Sequence, residues 1–177
     1  MKIFQVIFAF ILLLVSVSLS INQHSFAGEI HFLHSKGFGP VLIGMTPSIA
    51  SSVLGLPIRP ADALDEDDVH CHYEFSEGNY EHMGFMVQEG IITRIDVFGK
   101  EYKTDTGIIV GLNEKIIFEK YGGNVSEKIH PYLGLDGKYI LVDNADGYRM
   151  IFETVKGVIT RFRTGIAPSV DYIEGCQ

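Results

Sequence analysis

Residues 65–75, DEDDVHCHYEF, bring together side chains that could do chemistry. Acidic residues precede His70, Cys71 and His72, and Glu74 follows. These residue types bind zinc and act as general acids and bases. On a strand, the two histidines would lie about 6–7 Å apart on one side, within reach of one metal ion. Three alternatives follow: a metal site, a catalytic cluster, or an ordinary strand.

Alternation along a β-strand favours the ordinary strand, because it divides this segment into two sides. We predict that four residues share the side that packs on the core: Val69, Cys71, Tyr73 and Phe75. The histidines and Glu74 then point to solvent, so Cys71 does not join them as a ligand. We predict no metal and no cofactor, with a metal held by His70 and His72 as the alternative. The preceding acids lack the spaced ligands and central glycine of a calcium-binding loop.

The N-terminus has the pattern of a secretory signal peptide. Residues 6–15, VIFAFILLLV, form an apolar run after Lys2, and a small-x-small cleavage site ends at Ala27. We predict that residues 1–27 are removed and that the protein is periplasmic or secreted, without stable membrane insertion after cleavage. The alternative is a retained anchor over residues 4–21, which is nearly long enough to span a bilayer.

Charge and cysteine count narrow the classes of partner. Cleavage would remove Lys2 and no acid, which leaves 13 basic against 22 acidic residues and a net charge of −9. Such a charge disfavours nucleic acid and anionic membranes as partners. Two cysteines in an oxidising compartment predict a disulfide between Cys71 and Cys176. Free thiols, or an intermolecular bond through Cys176, are the alternatives.

An internal repeat organises the chain. GIITRI at 90–95 returns as GVITRF at 157–162, a shift of 67 residues. The same shift places IGMTPSIASSVLG, 43–55, on VGLNEKIIFEKYG, 110–122. A constant offset over such a length indicates a tandem duplication. We predict two units and a tail: residues 37–99, 104–166 and 167–177.

Each unit predicts one short helix followed by three strands. Thr46 and Asn113 suit N-caps, and Gly55 and Gly122 suit helix C-termini. The predicted helices span 47–54 and 114–121, and polar loops span 56–68 and 123–136. The predicted strands span 70–76, 82–88, 91–98, 138–143, 148–155 and 158–164. The predicted fold is therefore α+β: an antiparallel sheet with two short helices on one face.

Sequence motifs of common enzyme classes are absent. The chain has no G-x-S-x-G, no H-E-x-x-H and no phosphate-binding glycine loop followed by lysine. Because the cysteines are better explained as a disulfide than as nucleophiles, we predict that the protein is not an enzyme.

The stretch I-G-M-T, followed by a short helix and L-G, resembles the repeat unit of β-lactamase-inhibitor-protein-like folds. It is also similar to outer-membrane assembly proteins of the SmpA/OmlA type. The resemblance covers most of residues 37–164 in organisation. The chain departs from the second group by lacking a lipoprotein cysteine, and from the first by a single potential disulfide that spans both units. The resemblance implies an exported, non-enzymatic module that binds with its sheet; it transfers neither β-lactamase inhibition nor any binding residue.

The predicted sheet offers a binding face on its side away from the helices. We expect Phe85, Val87, Ile91, Ile95 and Val97 to face the helices. Residues expected on the other side are Met86, Ile92, Arg94, Asp96 and Phe98 in the first unit, and Tyr139, Leu141, Glu153, Ile159, Arg161 and Arg163 in the second. From these we predict five binding residues: Met86, Arg94, Phe98, Tyr139 and Arg161.

Mixed aromatic, aliphatic and arginine residues are typical of protein-binding surfaces. We therefore predict a partner that is another envelope or extracellular protein. A small-ligand module, for a carbohydrate or a metal, is the alternative. A further alternative gives Arg94 and Arg161 only cross-strand ion pairs with neighbouring acids.

Overall fold

The computed structural model describes residues 31–65, 68–76, 82–144 and 146–176. The predicted signal peptide, its cleavage site and the alternative anchor lie outside these residues. Within the described part of the chain, no helix has the length and apolar character needed to cross a bilayer.

The chain first forms a small antiparallel sheet and then two units of the same build. The small sheet comprises β1 (Leu33–His34), β2 (Gly37–Phe38) and β3 (Val41–Leu42). The first unit comprises α1 (Pro47–Leu54), β4 (Ile58–Pro60), β5 (Cys71–Ser76), β6 (Met83–Gln88) and β7 (Ile91–Val97). The second comprises α2 (Lys115–Tyr121), β8 (Val125–His130), β9 (Gly134–Asp143), β10 (Tyr148–Val155) and β11 (Val158–Ile166). Two short 3-10 turns lie at Gly122–Asn124 and Ser169–Asp171.

The main sheet has eight antiparallel strands in the order β4-β5-β6-β7-β11-β10-β9-β8. Each unit supplies four neighbouring strands, and the units meet where β7 pairs with β11. The buried residues of the helices, Ala50 and Ile117, belong to the same core as Phe85 and Phe152 of the sheet. The predicted α+β class is confirmed. We call the side of the sheet away from the helices the second face.

The helix ends follow from their sequence. Thr46 Oγ1 accepts the backbone N–H of Ile49 at 3.3 Å, and Gly55 ends α1 in the left-handed region with φ 71°. A residue without a Cβ adopts that conformation at little cost. The second helix begins one residue later than predicted, so that Glu114 and not Asn113 is its N-cap residue, although Asn113 Oδ1 accepts the N–H of Lys115 at 3.1 Å.

Backbone hydrogen bonds of the first unit recur in the second unit, 67 residues further along the chain. Gly44 donates to the carbonyl of Ile92 at 2.8 Å, and Ile92 donates to Met45 at 2.8 Å. In the second unit, Gly111 donates to the carbonyl of Ile159 at 2.8 Å, and Ile159 donates to that of Leu112 at 2.9 Å. The hairpin turns also correspond, since Glu89 and Lys156 both have φ 49° and each precedes a glycine. Two successive positive φ values match the tight turns predicted at these positions.

A β-bulge in each unit corrects the predicted faces. The register shifts between Met86 and Val87, after which Val87 pairs with Ile92 and Thr93 is the extra residue. Ile92 therefore lies in the helix-side core and is fully buried, whereas Ile91 is exposed. The predicted positions of both were wrong, because a bulge breaks the two-residue alternation.

The second unit repeats this bulge. Its register shifts between Glu153 and Thr154, and Thr154 then pairs with Ile159. Thr160 Oγ1 donates to the Glu153 carbonyl at 3.1 Å, as Thr93 Oγ1 does to Met86 at 3.5 Å. Ile159 is buried among the helix-side residues, so its predicted place on the second face was also wrong.

The predicted faces of β5 are reversed. Cys71 and Tyr73 lie opposite Gln88 and Met86, on the second face. His72 and Glu74 lie on the helix side, where His72 Nε2 and Glu74 Oε1 are 3.1 Å apart and both side chains are largely buried. Val69, expected in the core, is exposed. Among the described residues, no group of three or more His, Cys, Asp or Glu side chains is placed to hold a metal.

Two edge strands were missed. Residues 56–68 and 123–136 were predicted to be loops, but β4 pairs with β5 and β8 pairs with β9. The missed strands are equivalent in the two units and complete the eight-stranded sheet.

Candidate binding site

The residues after β11, which we call the tail (167–176), run back across the second face. The side chains of Ser169 and Val170 are buried. The tail ends on β5, where Cys176 forms a disulfide with Cys71, with an S–S distance of 2.09 Å and a Cα–Cα distance of 5.4 Å. The predicted disulfide is confirmed, and it fixes the tail across both units.

Arg94, on β7, holds the tail against the second face. Its Nε and Nη2 donate to the two carboxylate oxygens of Asp96 at 2.8 and 2.6 Å. Its Nη1 donates to the carbonyls of Ser169, at 3.3 Å, and Tyr172, at 2.6 Å. Burial alone would lower the pKa of Arg94, but the ion pair with Asp96 outweighs burial and the pKa is raised. Arg94 therefore joins the sheet to the tail as a fixed cation.

Asp96 accepts three hydrogen bonds through its two carboxylate oxygens. Tyr73 donates its hydroxyl to Asp96 at 3.0 Å, beside the two bonds from Arg94. Burial, and then the charge of Asp96, raise the pKa of Tyr73, so this phenol stays protonated as a donor.

The predicted binding residues are not brought together as an exposed surface. Met86 is completely buried, and Arg94 and Tyr139 are 3% and 7% exposed. Their predicted exposure was wrong because the tail covers the centre of the second face. Phe98 is half-buried, just after β7. Arg161 stays exposed, and its Nε lies 3.2 Å from Glu153 Oε2.

Arg163 is a buried cation on the second-unit half of this face. It is 2% exposed, and its Nε donates to the Val170 carbonyl at 2.7 Å. Its guanidinium carbon lies 5.3 Å from the centre of the Tyr139 ring, a cation–π contact. Burial, and then the charge of Arg94, lower the pKa of Arg163. Neither Nη group has a hydrogen-bond partner among the described residues.

A cavity of about 210 Å³, the inner cavity, opens beside Arg163. Its apolar walls include Ile129, Tyr139, Leu141, Ile151 and Ile173. The charged residues at its walls are Lys128, Arg163 and Asp171. Asp171 already has a partner, since Arg149 Nη1 lies 2.7 Å from its Oδ1.

A second cavity, of about 550 Å³, the outer cavity, lies between the tail and the turn that joins β8 to β9. Tyr132, Tyr172 and Ile173 line it beside the disulfide, and the Tyr132 hydroxyl donates to Glu174 Oε1. Ile173 and Asp171 line both cavities, so the two adjoin.

Four large side chains around these cavities face solvent. We call Ile129, Tyr132, Tyr172 and Ile173 the apolar patch; they are 64%, 65%, 37% and 41% exposed. Arg163 was predicted to lie on the second face, but none of these four residues was predicted to bind. The tail contains apolar residues at 170, 172 and 173 just before Cys176, and this pattern could have indicated a segment that packs on the sheet.

Known proteins show little similarity to this chain. No protein-family model matches the chain, and a search of curated proteins finds no significant match. Among solved structures, the chain is similar to an extracellular protein containing an SCP domain from Bacillus anthracis str. Ames, with a TM-score of 0.44 and 12% identity. The match covers 71% of this chain and 44% of the Bacillus anthracis protein, so the chain spans less than half of that protein's length. At this TM-score the likeness assigns neither family nor function, and the resemblance to β-lactamase-inhibitor-protein-like and SmpA/OmlA-type folds stays a prediction.

Proposed function

We propose that the protein is an exported, non-enzymatic module that binds another envelope or extracellular protein through the apolar patch. The observation that carries the proposal is the exposure of Ile129, Tyr132, Tyr172 and Ile173 around two adjoining cavities. Large exposed apolar side chains grouped in this way mark interaction sites on soluble proteins, and tyrosine is enriched where binding energy concentrates.

The disulfide supports the exported location. A bond between Cys71 and Cys176 persists in an oxidising compartment and is rare in the cytosol. The apolar run and cleavage pattern of residues 1–27 support the same location.

The charge around the patch indicates the kind of partner. The chain has a formal net charge of −8, yet Lys128, Arg161 and Arg163 lie on this half of the second face. Arg161 is paired with Glu153, whereas no ion pair is seen for Lys128 or Arg163 among the described residues. A partner that offers apolar side chains together with a negatively charged group is complementary to this surface.

The experiment compares two matched substitutions. Ile173→Glu places a charge inside the patch, and Leu135→Glu places the same charge at a residue that is 91% exposed and lines neither cavity. The exported protein and both variants are immobilised and exposed to an envelope fraction, and captured proteins are identified by mass spectrometry. The purified captured protein is then titrated against each variant.

We expect Ile173→Glu to weaken binding of that protein by about tenfold or more, and Leu135→Glu to bind like the wild type. Equal binding by all three proteins would reject the apolar patch as the site. Saturable binding of a saccharide in the cavities, with no protein captured, would replace the proposal with the small-ligand alternative.

A further inference from the structure

Arg163 has positive charge that its surroundings do not neutralise. Each nearby carboxylate on the described second face is engaged elsewhere. Asp96, its direct cross-strand partner, accepts hydrogen bonds from Arg94 and Tyr73. Glu153 lies 3.2 Å from Arg161 Nε and 3.3 Å from His130 Nε2.

The third carboxylate near this cation is Asp171, and it forms an ion pair with Arg149. Arg163 therefore keeps one carbonyl acceptor, that of Val170, and two Nη groups without a partner among the described residues. These Nη groups are not among the buried, unpartnered side-chain atoms of the described residues, so they contact solvent in the inner cavity, where a negatively charged acceptor would pair with them.

The inner cavity gives such a group access to Arg163. The cavity is lined by Arg163 and, on its other sides, mainly by apolar residues such as Leu141, Ile151 and Ile173. Lys128 adds a second positive charge at the wall. A guanidinium with free N–H groups matches a carboxylate in two parallel hydrogen bonds, while apolar walls favour a hydrocarbon group attached to it.

We propose that the inner cavity binds a carboxylate attached to an apolar group, and that this group is the C-terminus of the partner protein with an apolar last residue. The inference rests on the proposed function. The carboxylate contacts Arg163, the last side chain lies against Leu141 and Ile151, and the preceding residues contact the apolar patch around the cavity. A free aliphatic acid has the same chemistry, and the test separates it from a peptide end.

Three probes define the specificity in calorimetric titrations of the exported protein. One is the acetylated tetrapeptide Gly-Ser-Gly-Leu with a free carboxylate, the second is the same peptide with a C-terminal amide, and the third is octanoate. We expect the acid peptide to bind about tenfold or more tighter than the amide, because hydrogen bonds to charged groups are the stronger ones. Equal binding of acid and amide would overturn the carboxylate site, and octanoate binding tighter than the acid peptide would overturn the assignment to a protein C-terminus.

Two variants test whether Arg163 causes the preference for the acid peptide over the amide. Arg163→Met keeps much of the side chain volume, and we expect it to bind the acid and amide peptides equally. A folded Arg163→Met protein that still prefers the acid would refute the role of Arg163. In case this buried substitution prevents folding, Ile129→Glu puts a negative charge at the cavity wall, where Ile129 is 64% exposed. We expect it to reduce binding of the acid peptide about tenfold, and Leu135→Glu to leave that binding unchanged.

The two proposals fail in different ways. A partner whose capture depends on Ile173 but survives amidation of its C-terminus would contradict the carboxylate site alone. If the acid peptide binds through Arg163 but no envelope protein is captured, the carboxylate site stands and the proposed protein partner does not.

Discussion

Asp96 and Arg163 lie directly opposite each other across β7 and β11, and they occupy equivalent positions in the two units, 67 residues apart. The pairs on either side mirror each other, since Val97 lies opposite Phe162 and Ile95 lies opposite Thr164. An approximate twofold axis therefore passes between the acid and the base. The units differ at this axis, because Asp96 is fully hydrogen-bonded whereas Arg163 keeps free donors beside the inner cavity.

The two arginines of the repeated motif should differ sharply in their effect on stability. Arg94→Met leaves Asp96 buried without its cation and removes donors from the tail carbonyls, so we expect a loss of about 3–5 kcal/mol in unfolding free energy. Arg161→Met breaks an ion pair in which only the arginine is exposed, and the buried Glu153 keeps its contact with His130 Nε2, so this variant should cost less, about 2 kcal/mol at most. Urea denaturation of both variants measures the difference, and similar costs would contradict the anchoring role of Arg94.

The disulfide should be a major source of stability. The bond joins residues 105 positions apart, and restricting a loop of that length in the unfolded chain contributes about 4–5 kcal/mol in the chain-entropy model. We expect Cys176→Ser to melt at lower temperature and its tail to be cleaved faster by proteases. Cys71→Ser and the double variant are the controls, since all three lose the same bond. Free alkylation of both thiols in native protein purified without reductant would show that the bond does not form.

Glu114 should make stability depend on acid pH. Partial burial alone would raise its pKa, but hydrogen bonds from Thr154, at 2.7 Å, and Lys138, at 3.1 Å, outweigh burial and lower the pKa below 4.5. A carboxyl group whose pKa is lower in the folded protein stabilises the fold at pH values above its pKa in the unfolded chain. This contribution is lost as the pH falls through its pKa in the folded protein. We therefore expect Glu114→Gln to be less stable than the wild type at pH 7.

This difference should narrow as the pH falls from about 4.5, where Glu114 of the unfolded chain becomes protonated, through the lower pKa of Glu114 in the folded protein. Thermal melts between pH 7 and pH 3 measure it. Glu119→Gln, at an exposed position of α2, is the matched control and should change stability little at any pH. A constant difference across this range for Glu114→Gln would contradict the pKa assignment.

Cleavage of the leader has a direct test. N-terminal sequencing of protein recovered from the envelope or the medium should begin at Gly28 or a close neighbour. Recovery of a chain that begins at Met1 from the membrane fraction would instead support the retained anchor.

The sequence predicted the repeated helix and three strands of each unit because their signals are local. Thr46 and Gly55 mark the ends of α1, and Glu89-Gly90 marks a hairpin turn. The edge strands β4 and β8 lacked such signals. β4 is three residues long and contains Pro60, and β8 carries polar residues in the sequence VSEKIH, so both resemble loops.

The candidate site was less predictable because it depends on contacts between distant residues. The bulges at Thr93 and Thr160 shift the alternation by one residue, which alternation itself cannot reveal. The burial of Arg94 depends on the tail, 75 and 78 residues further along the chain. The free donors of Arg163 become evident only when the partners of Asp96 and Glu153 are known.

The pairing of β7 with β11 also has a consequence for cooperativity. In the assembled sheet these two strands are central, but in a separated unit each would be a long, unpaired edge whose residues are mostly buried in the whole sheet. The repeated units are therefore not autonomous domains: either half expressed alone would tend to pair with a second copy of itself or aggregate. Unfolding of the whole sheet should accordingly proceed as one all-or-none transition.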